Sequence, residues 1–162
     1  MYEFEVPGKI TGKARPRVNT LTGRAYTPGN TKDYEMLIKQ YFKVKYPRYE
    51  TLEERIIIKI EAYFEPPKST SKKQTEQMLE NKISPTKKPD IDNIIKIVLD
   101  ALNKMAFRDD SQVTKIEVEK IYGPVEKIKV KIKQSLAALE LLKKSLMQKY
   151  FGRKEEGTDE ET

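Results

Sequence analysis

Apolar residues recur along this chain with two different periods, and the points where the period changes mark its elements. Residues 2–6, YEFEV, alternate and stop at Pro7-Gly8, which predicts a first strand closed by a turn. The stretch that follows, up to Gly29, has no apolar period. It carries Lys9, Lys13, Arg15, Arg17 and Arg24 around Thr22-Gly23 and reads as a basic loop or a short irregular hairpin. From Thr31, an expected N-cap, to about Tyr46, the residues Tyr34, Leu37, Ile38, Tyr41 and Phe42 fall at helical spacing, and Pro47 closes the helix. Residues 54–64 place Ile58, Ile60, Ala62 and Phe64 on one face of a β-branched segment, a core strand.

Residues 65–88 are polar with no strong period, although 70–81 suits a short solvated helix. Ile94, Ile95, Val98, Leu99, Leu102 and Met105 then form an amphipathic stripe, predicting a helix from Ile91 to Met105. Residues 113–122 and 127–133 both alternate around Gly123-Pro124, which predicts an antiparallel hairpin. Leu136, Leu139, Leu142, Leu146 and Tyr150 mark a C-terminal helix whose stripe suits core or dimer packing. The order of elements predicts an α+β fold: a single compact domain, with helices on one side of a mixed or antiparallel sheet. Its expected parts are a body over 1–133, a C-terminal helix over 134–151 and an acidic tail over 152–162 too polar to fold.

Composition narrows the chemistry. Among the 162 residues there is no cysteine and no histidine, which excludes disulfides, the usual zinc sites, Cys–His or Ser–His nucleophiles and imidazole acid–base pairs. Catalysis, if any, runs on carboxylates, lysines, tyrosines or hydroxyls. Five of the 25 acids lie in the last eight positions, which leaves 20 acids against all 32 bases and a net charge of +12 over residues 1–154. Such an excess on a compact body is what a polyanion partner requires, because each neutralised phosphate releases counterions. No apolar run is long enough for a membrane span and the N-terminus has no signal-like pattern, so the expectation is a soluble, unexported, cytoplasmic protein.

One stretch concentrates candidate chemistry: Lys87-Lys88-Pro89-Asp90-Ile91-Asp92-Asn93-Ile94-Ile95-Lys96, then Asp100-Ala101-Leu102 and Arg108-Asp109-Asp110-Ser111-Gln112. Hard divalent cations take oxygen ligands, and magnesium needs only a few carboxylates beside water and phosphate oxygens. If Pro89 keeps Asp90 extended and Asp92 enters the first helical turn, the two carboxylates converge. Lys96, one turn on, is placed to contact a phosphate or offset developing charge. Each residue also has a structural reading: Asp90 as an N-cap, Asp92 favouring the helix dipole, Lys96 and Asp100 as an i,i+4 pair, Asp109-Asp110 as a turn.

The whole string, P-D-x-D-N-x-x-K-x-x-x-D-A-L followed by D-D-x-Q, resembles the RusA family of Holliday junction resolvases, as do Gly12-Lys13 with Arg15-Pro16-Arg17, Tyr26-Thr27-Pro28 and Tyr34-Glu35. The resemblance covers about residues 3–132. It implies a compact homodimer, bacterial or phage-encoded, that resolves four-way DNA junctions by symmetric nicking with Mg2+ or Mn2+. It implies metal-binding carboxylates at Asp90, Asp92 and Asp110, with Lys96 as the catalytic lysine. Lys13, Arg15, Arg17, Arg24 and Lys88 are the DNA-binding candidates. Readings kept beside it are a non-catalytic branched-DNA-binding protein and a nuclease for other branched or single-stranded nucleic acid.

Chain geometry adds a question. A helix from Ile91 to Met105 spans about 21 Å. Five further residues reach at most about 18 Å. Unless the helix ends early, near Leu102, the Asp90 and Asp92 carboxylates are expected to meet Asp110 of a second subunit. Lys127, Lys129, Lys131 and Lys133 form a period-2 row, for which ion pairs with Glu117 and Glu119 on the neighbouring strand are the expected use, over a DNA track.

Overall fold

The computed structural model describes residues 1–135 and 137–151, apart from the side chains of Tyr26 and residues 137–143. Its elements are β1 (Tyr2–Pro7), β2 (Arg17–Val18), β3 (Ala25–Tyr26), α1 (Gly29–Lys45), β4 (Arg55–Phe64), α2 (Lys72–Leu79), α3 (Ile91–Leu102), a 3-10 turn (Asp110–Gln112), β5 (Val113–Tyr122), β6 (Lys127–Ser135) and α4 (Ala137–Phe151). The four long strands form one mixed sheet in the order β1-β6-β4-β5. The fold is the expected α+β class.

The alternation in each strand separates two faces. Ile56, Ile58, Ile60, Ala62 and Phe64 of β4 are buried, with Ile128, Val130 and Ile132 of β6 and Phe4 and Val6 of β1. Tyr34, Ile38 and Phe42 of α1 and Ile94, Ile97, Val98, Ala101 and Leu102 of α3 join the same core. The other face is charged. Lys129 and Lys131 pair with Glu3 at 3.0 and 3.1 Å, Lys127 with Glu5 at 2.9 Å, Lys59 with Glu61 at 2.7 Å, and Lys115 with Glu117 at 2.6 Å. Three lysines of the row, Lys127, Lys129 and Lys131, are thus met by carboxylates, but from β1 and not from Glu117 and Glu119.

That difference follows from topology. β5 and β6 are not hairpin partners: β4 lies between them, parallel to β5 and antiparallel to β6. Residues 123–126 carry the chain over the end of β4, where the Gly123 N–H donates to the Phe64 carbonyl at 2.9 Å. A Cβ on Gly123 would stand 3.0 Å from the Tyr63 ring, so the turn hugs the strand it crosses. A period of two identifies the buried face but not the neighbouring strand.

Three element boundaries also move. α1 starts at Gly29 with Pro28 at the N-cap, and the expected cap, Thr31, is buried one turn inside, where its hydroxyl accepts from the Ala14 N–H at 3.4 Å. Its hydroxyl ties the basic loop to the helix. α2 is the short solvated helix expected in 65–88, capped by Ser71. α3 ends at Leu102 because Asn103 turns extended and Lys104 adopts φ +60°. Met105 is buried beneath that turn, so its apolarity belongs to the core and not to the helix. α4 forms as expected, yet Leu146 and Tyr150 are exposed; Leu136 and the acidic tail lie outside the described residues.

Candidate active site

Asp90 stands at the N-cap of α3 with extended backbone, φ −72° and ψ 152°, but its side chain makes no capping hydrogen bond. Asp92 lies in the first turn. Both are exposed, and Lys96 reaches back to Asp92 Oδ2 at 3.4 Å. A surface i,i+4 pair at that distance is weak, which leaves the ammonium free to turn toward a ligand. The capping reading of Asp90 is thus not what its carboxylate does. Two adjacent, unburied carboxylates suit a hard divalent cation.

This end of α3 is clamped from two sides. On one side the N-terminal loop runs against it: the Lys13 N–H donates to the Asn93 carbonyl at 2.9 Å, and a Cβ on Gly12 would fall 2.7 Å from Pro89 Cβ and 3.0 Å from Asn93 Cβ. Only glycine fits there. Lys13 itself bonds Glu35 of α1 at 2.5 Å and Asp100 of α3 at 2.7 Å. Partial burial alone would lower its pKa, but Asp100 and then Glu35 outweigh that and hold it above the ordinary 10.5. Lys13 therefore ties helix to helix, its ammonium shared between two carboxylates. Asp100 takes Lys13 as its partner, in place of the expected Lys96.

On the other side Lys120 of β5 donates to the carbonyls of Lys87 and, at 3.1 Å, Pro89, with its ammonium 5.4 Å from the centre of the Phe64 ring. Reading the sequence missed Lys120, although it had a signal. Lys120 continues the core-facing row of Ile116 and Val118, where a lysine needs a partner.

Asp110 sits at the opposite end of α3. It opens the 3-10 turn before β5, where Gln112 donates to the carbonyls of Leu52 and Glu54 at 3.2 and 3.0 Å and so anchors the turn beside the start of β4. Asp109 caps this turn. Its carboxylate accepts from the Ser111 N–H at 2.9 Å, and the Gln112 side chain accepts from the Asp109 N–H at 2.9 Å. The Ser111 side chain, and after it the capping bond from the Ser111 N–H, hold the Asp109 pKa below its ordinary 3.8. Of the two acids, Asp110 is the one without the capping duty.

The helix of 12 residues separates the two ends by about 18 Å. From Val113 to Lys120, which touches Pro89, β5 extends for about 23 Å. Among the described residues no three carboxylates gather closely enough to hold a metal. α3 does end at Leu102, early enough for a return, but residues 103–112 go to Leu52 and Glu54 instead. Asp90 with Asp92, and Asp110, therefore stand at opposite ends of α3 within the chain.

Beside Asp90 an open groove of about 700 Å³ is lined by Lys9, Gly12, Lys13, Asn30, Lys88 and Asn93, among others. Arg15, Arg17 and Arg24 lie on the loop and hairpin at its edge, and among the described residues none of the three forms a salt bridge.

A basic α+β domain with exposed carboxylates at the mouth of a cationic groove is built to act on a phosphate polyanion. The family model described as endodeoxyribonuclease RusA matches residues 7–133. This chain belongs to that family of DNA-cutting enzymes, whose substrates are branched DNA junctions. It is also 33% identical over 139 residues to a Bacillus subtilis (strain 168) protein named "Uncharacterized protein YqaN", covering 82% of this chain and 95% of that one. No helix among the described residues is long and apolar enough to cross a membrane.

Proposed function

We propose that this protein is a magnesium-dependent resolvase, a homodimer that nicks four-way DNA junctions symmetrically, each of its two sites taking Asp90 and Asp92 from one subunit and Asp110 from the other. The observation behind this reading is the split of the acids. The three acids that the family resemblance assigns to one metal lie at opposite ends of α3, and both ends are independently anchored. A two-fold axis that lays two copies of α3 antiparallel brings unlike ends together twice, and two equivalent sites are what paired nicks demand.

Asp90 and Asp92, with the partner's Asp110, would hold Mg2+, or Mn2+ in its place. The bound ion would activate water and offset charge on phosphate oxygens. The groove of Lys9 and Lys88 binds the strand on one side of the scissile phosphate, with Arg15, Arg17 and Arg24 gripping phosphates beyond it. Lys96 leaves Asp92 to meet the scissile phosphate. Water adds to phosphorus, one phosphorus–oxygen bond breaks, and the lysine offsets charge on the departing oxygen.

The test compares cleavage of a synthetic four-way junction, a linear duplex and a single strand by wild-type protein and Asp92→Asn, with and without magnesium. Junction cutting that needs both magnesium and Asp92 supports the reading. Binding without cutting would point to a non-catalytic junction binder, and equal cutting of all three substrates to a general nuclease. Mixing Asp90→Asn chains with Asp110→Asn chains tests the shared site: nicking recovered in the mixture supports it, and none recovered overturns it.

A further inference from the structure

The basic hairpin holds a side chain that the cutting reaction does not use. Between β2 and β3, Asn19 organises the turn: its side-chain oxygen accepts from the N–H groups of Leu21 and Thr22 at 2.9 and 3.2 Å. The Gly23 N–H donates to the Asn19 carbonyl at 2.8 Å, and the Asn19 N–H donates to the Arg24 carbonyl at 2.9 Å. Gly23 takes φ +66°, a conformation that a side chain disfavours. The turn is therefore prebuilt. At its apex Leu21 is 94% exposed.

Turn positions ordinarily go to Gly, Asn, Asp, Ser or Pro, and a leucine here gains no burial within the protomer. A lone exposed leucine on an ordinary surface would mean nothing. This one stands at the tip of an arm that carries Arg17 and Arg24, with Arg15 at its base. Both ends of the arm, at Ala14 and Asn30, line the groove that leads to Asp90. Four residues past Arg17, the tip reaches at most about 13 Å from it. DNA lying in the groove is within that reach.

One apolar tip among arginines is too small for a protein interface, but it matches DNA whose base stacking opens readily. The arginines meet phosphates on either side, while the side chain enters the opened step in place of the stacking it displaces. A continuous duplex resists that opening at every step. At a branch point the stack is interrupted between arms, so the bases beside it open more easily.

Resting on the junction reading above, we propose that Leu21 is a wedge that enters the branch point, and that the hairpin thereby favours branched over linear DNA. The experiment uses the full-length protein with calcium in place of magnesium and a four-way junction carrying 2-aminopurine next to the branch. Wild-type protein is expected to raise the fluorescence several-fold, Leu21→Ala to lose most of that rise, and Leu21→Met to restore it. With magnesium, Leu21→Ala is expected to cut the junction roughly tenfold more slowly, with stability unchanged because the side chain is exposed. A wild-type protein that binds and cuts the junction with no fluorescence rise, or a Leu21→Ala protein with the full rise, overturns the wedge and leaves the resolvase reading standing. A wild-type protein that neither binds nor cuts junctions overturns both.

Discussion

The two ends of α3 are built in opposite ways. At the N-terminal end Asp90 makes no capping bond, Asp92 has only a weak pair with Lys96, and their surroundings are held by residues distant in sequence: Gly12 and Lys13 from the first loop, Lys120 from β5. At the C-terminal end the turn also has an internal frame, Asp109 and Gln112 closing a capping box, beside the bonds from Gln112 to the carbonyls of Leu52 and Glu54. The contrast teaches where a site tolerates change. Asp90 and Asp92 depend on packing that three segments must supply together, whereas Asp110 depends on one tight turn and its anchor at the start of β4.

The largest expected effect comes from the adjacent acids of that turn. Asp110→Asn should lower junction cutting about a thousandfold, which is about 4 kcal/mol in the barrier, with an unchanged melting temperature. Asp109→Ala should do the reverse, keeping most of the activity and losing about 1 kcal/mol of stability with its cap. Kinetics and denaturant melts on the two variants decide it, and an Asp109→Ala protein that is folded and inactive would reverse the assignment.

Next is the clamp at the other end. Gly12→Ala forces a methyl group against Pro89 and Asn93 and should cost about 1–3 kcal/mol of stability. Its activity should fall further than its folded fraction does, because the displaced loop carries Asp90. Urea melts and rates measured on the same samples separate the two losses.

Lys120→Met should act more mildly. It removes the donor that holds the carbonyls of Lys87 and Pro89 while keeping the aliphatic stem over Phe64. A cost of about 1–2 kcal/mol is expected, with a higher magnesium requirement than wild type and partial rescue by Lys120→Arg. An unchanged magnesium titration would show that the strap does not position the acids.

The smallest effect concerns the charged sheet face, far from both ends. Hydrogen bonds from Lys129 and Lys131 lower the pKa of Glu3, Lys59 lowers that of Glu61, and Lys115 that of Glu117, each from an ordinary 4.5. Depressed carboxylates contribute stability above 4.5, and that contribution is lost as pH falls through their folded values. Melting temperature should therefore drop below pH 4.5, and less steeply in Glu3→Gln. Equal slopes in the two proteins would remove Glu3 from the account.

Much of this was legible in the sequence. The periods of two and 3.6 located all four long strands, the stripe of α1 and the start of α3, because each element must bury one face. The motif around Asp90, Asp92, Lys96 and Asp110 carried the resemblance to the family, which the match over residues 7–133 bears out. A hydroxyl misled where a tertiary contact claimed it, since Thr31 looks like a cap but holds Ala14. Lys13, a DNA-binding candidate in the sequence, also joins Glu35 to Asp100, which no local pattern records.

The sequence by itself determined the residue types, the faces and the elements, because those depend on local pattern. Only the tertiary structure decided that β4 separates β5 from β6, that Lys120 reaches the Pro89 loop, and that Asp110 is anchored a helix length from Asp92. Strand order and the path of a turn are set by contacts between segments far apart in the chain, and no local period records them.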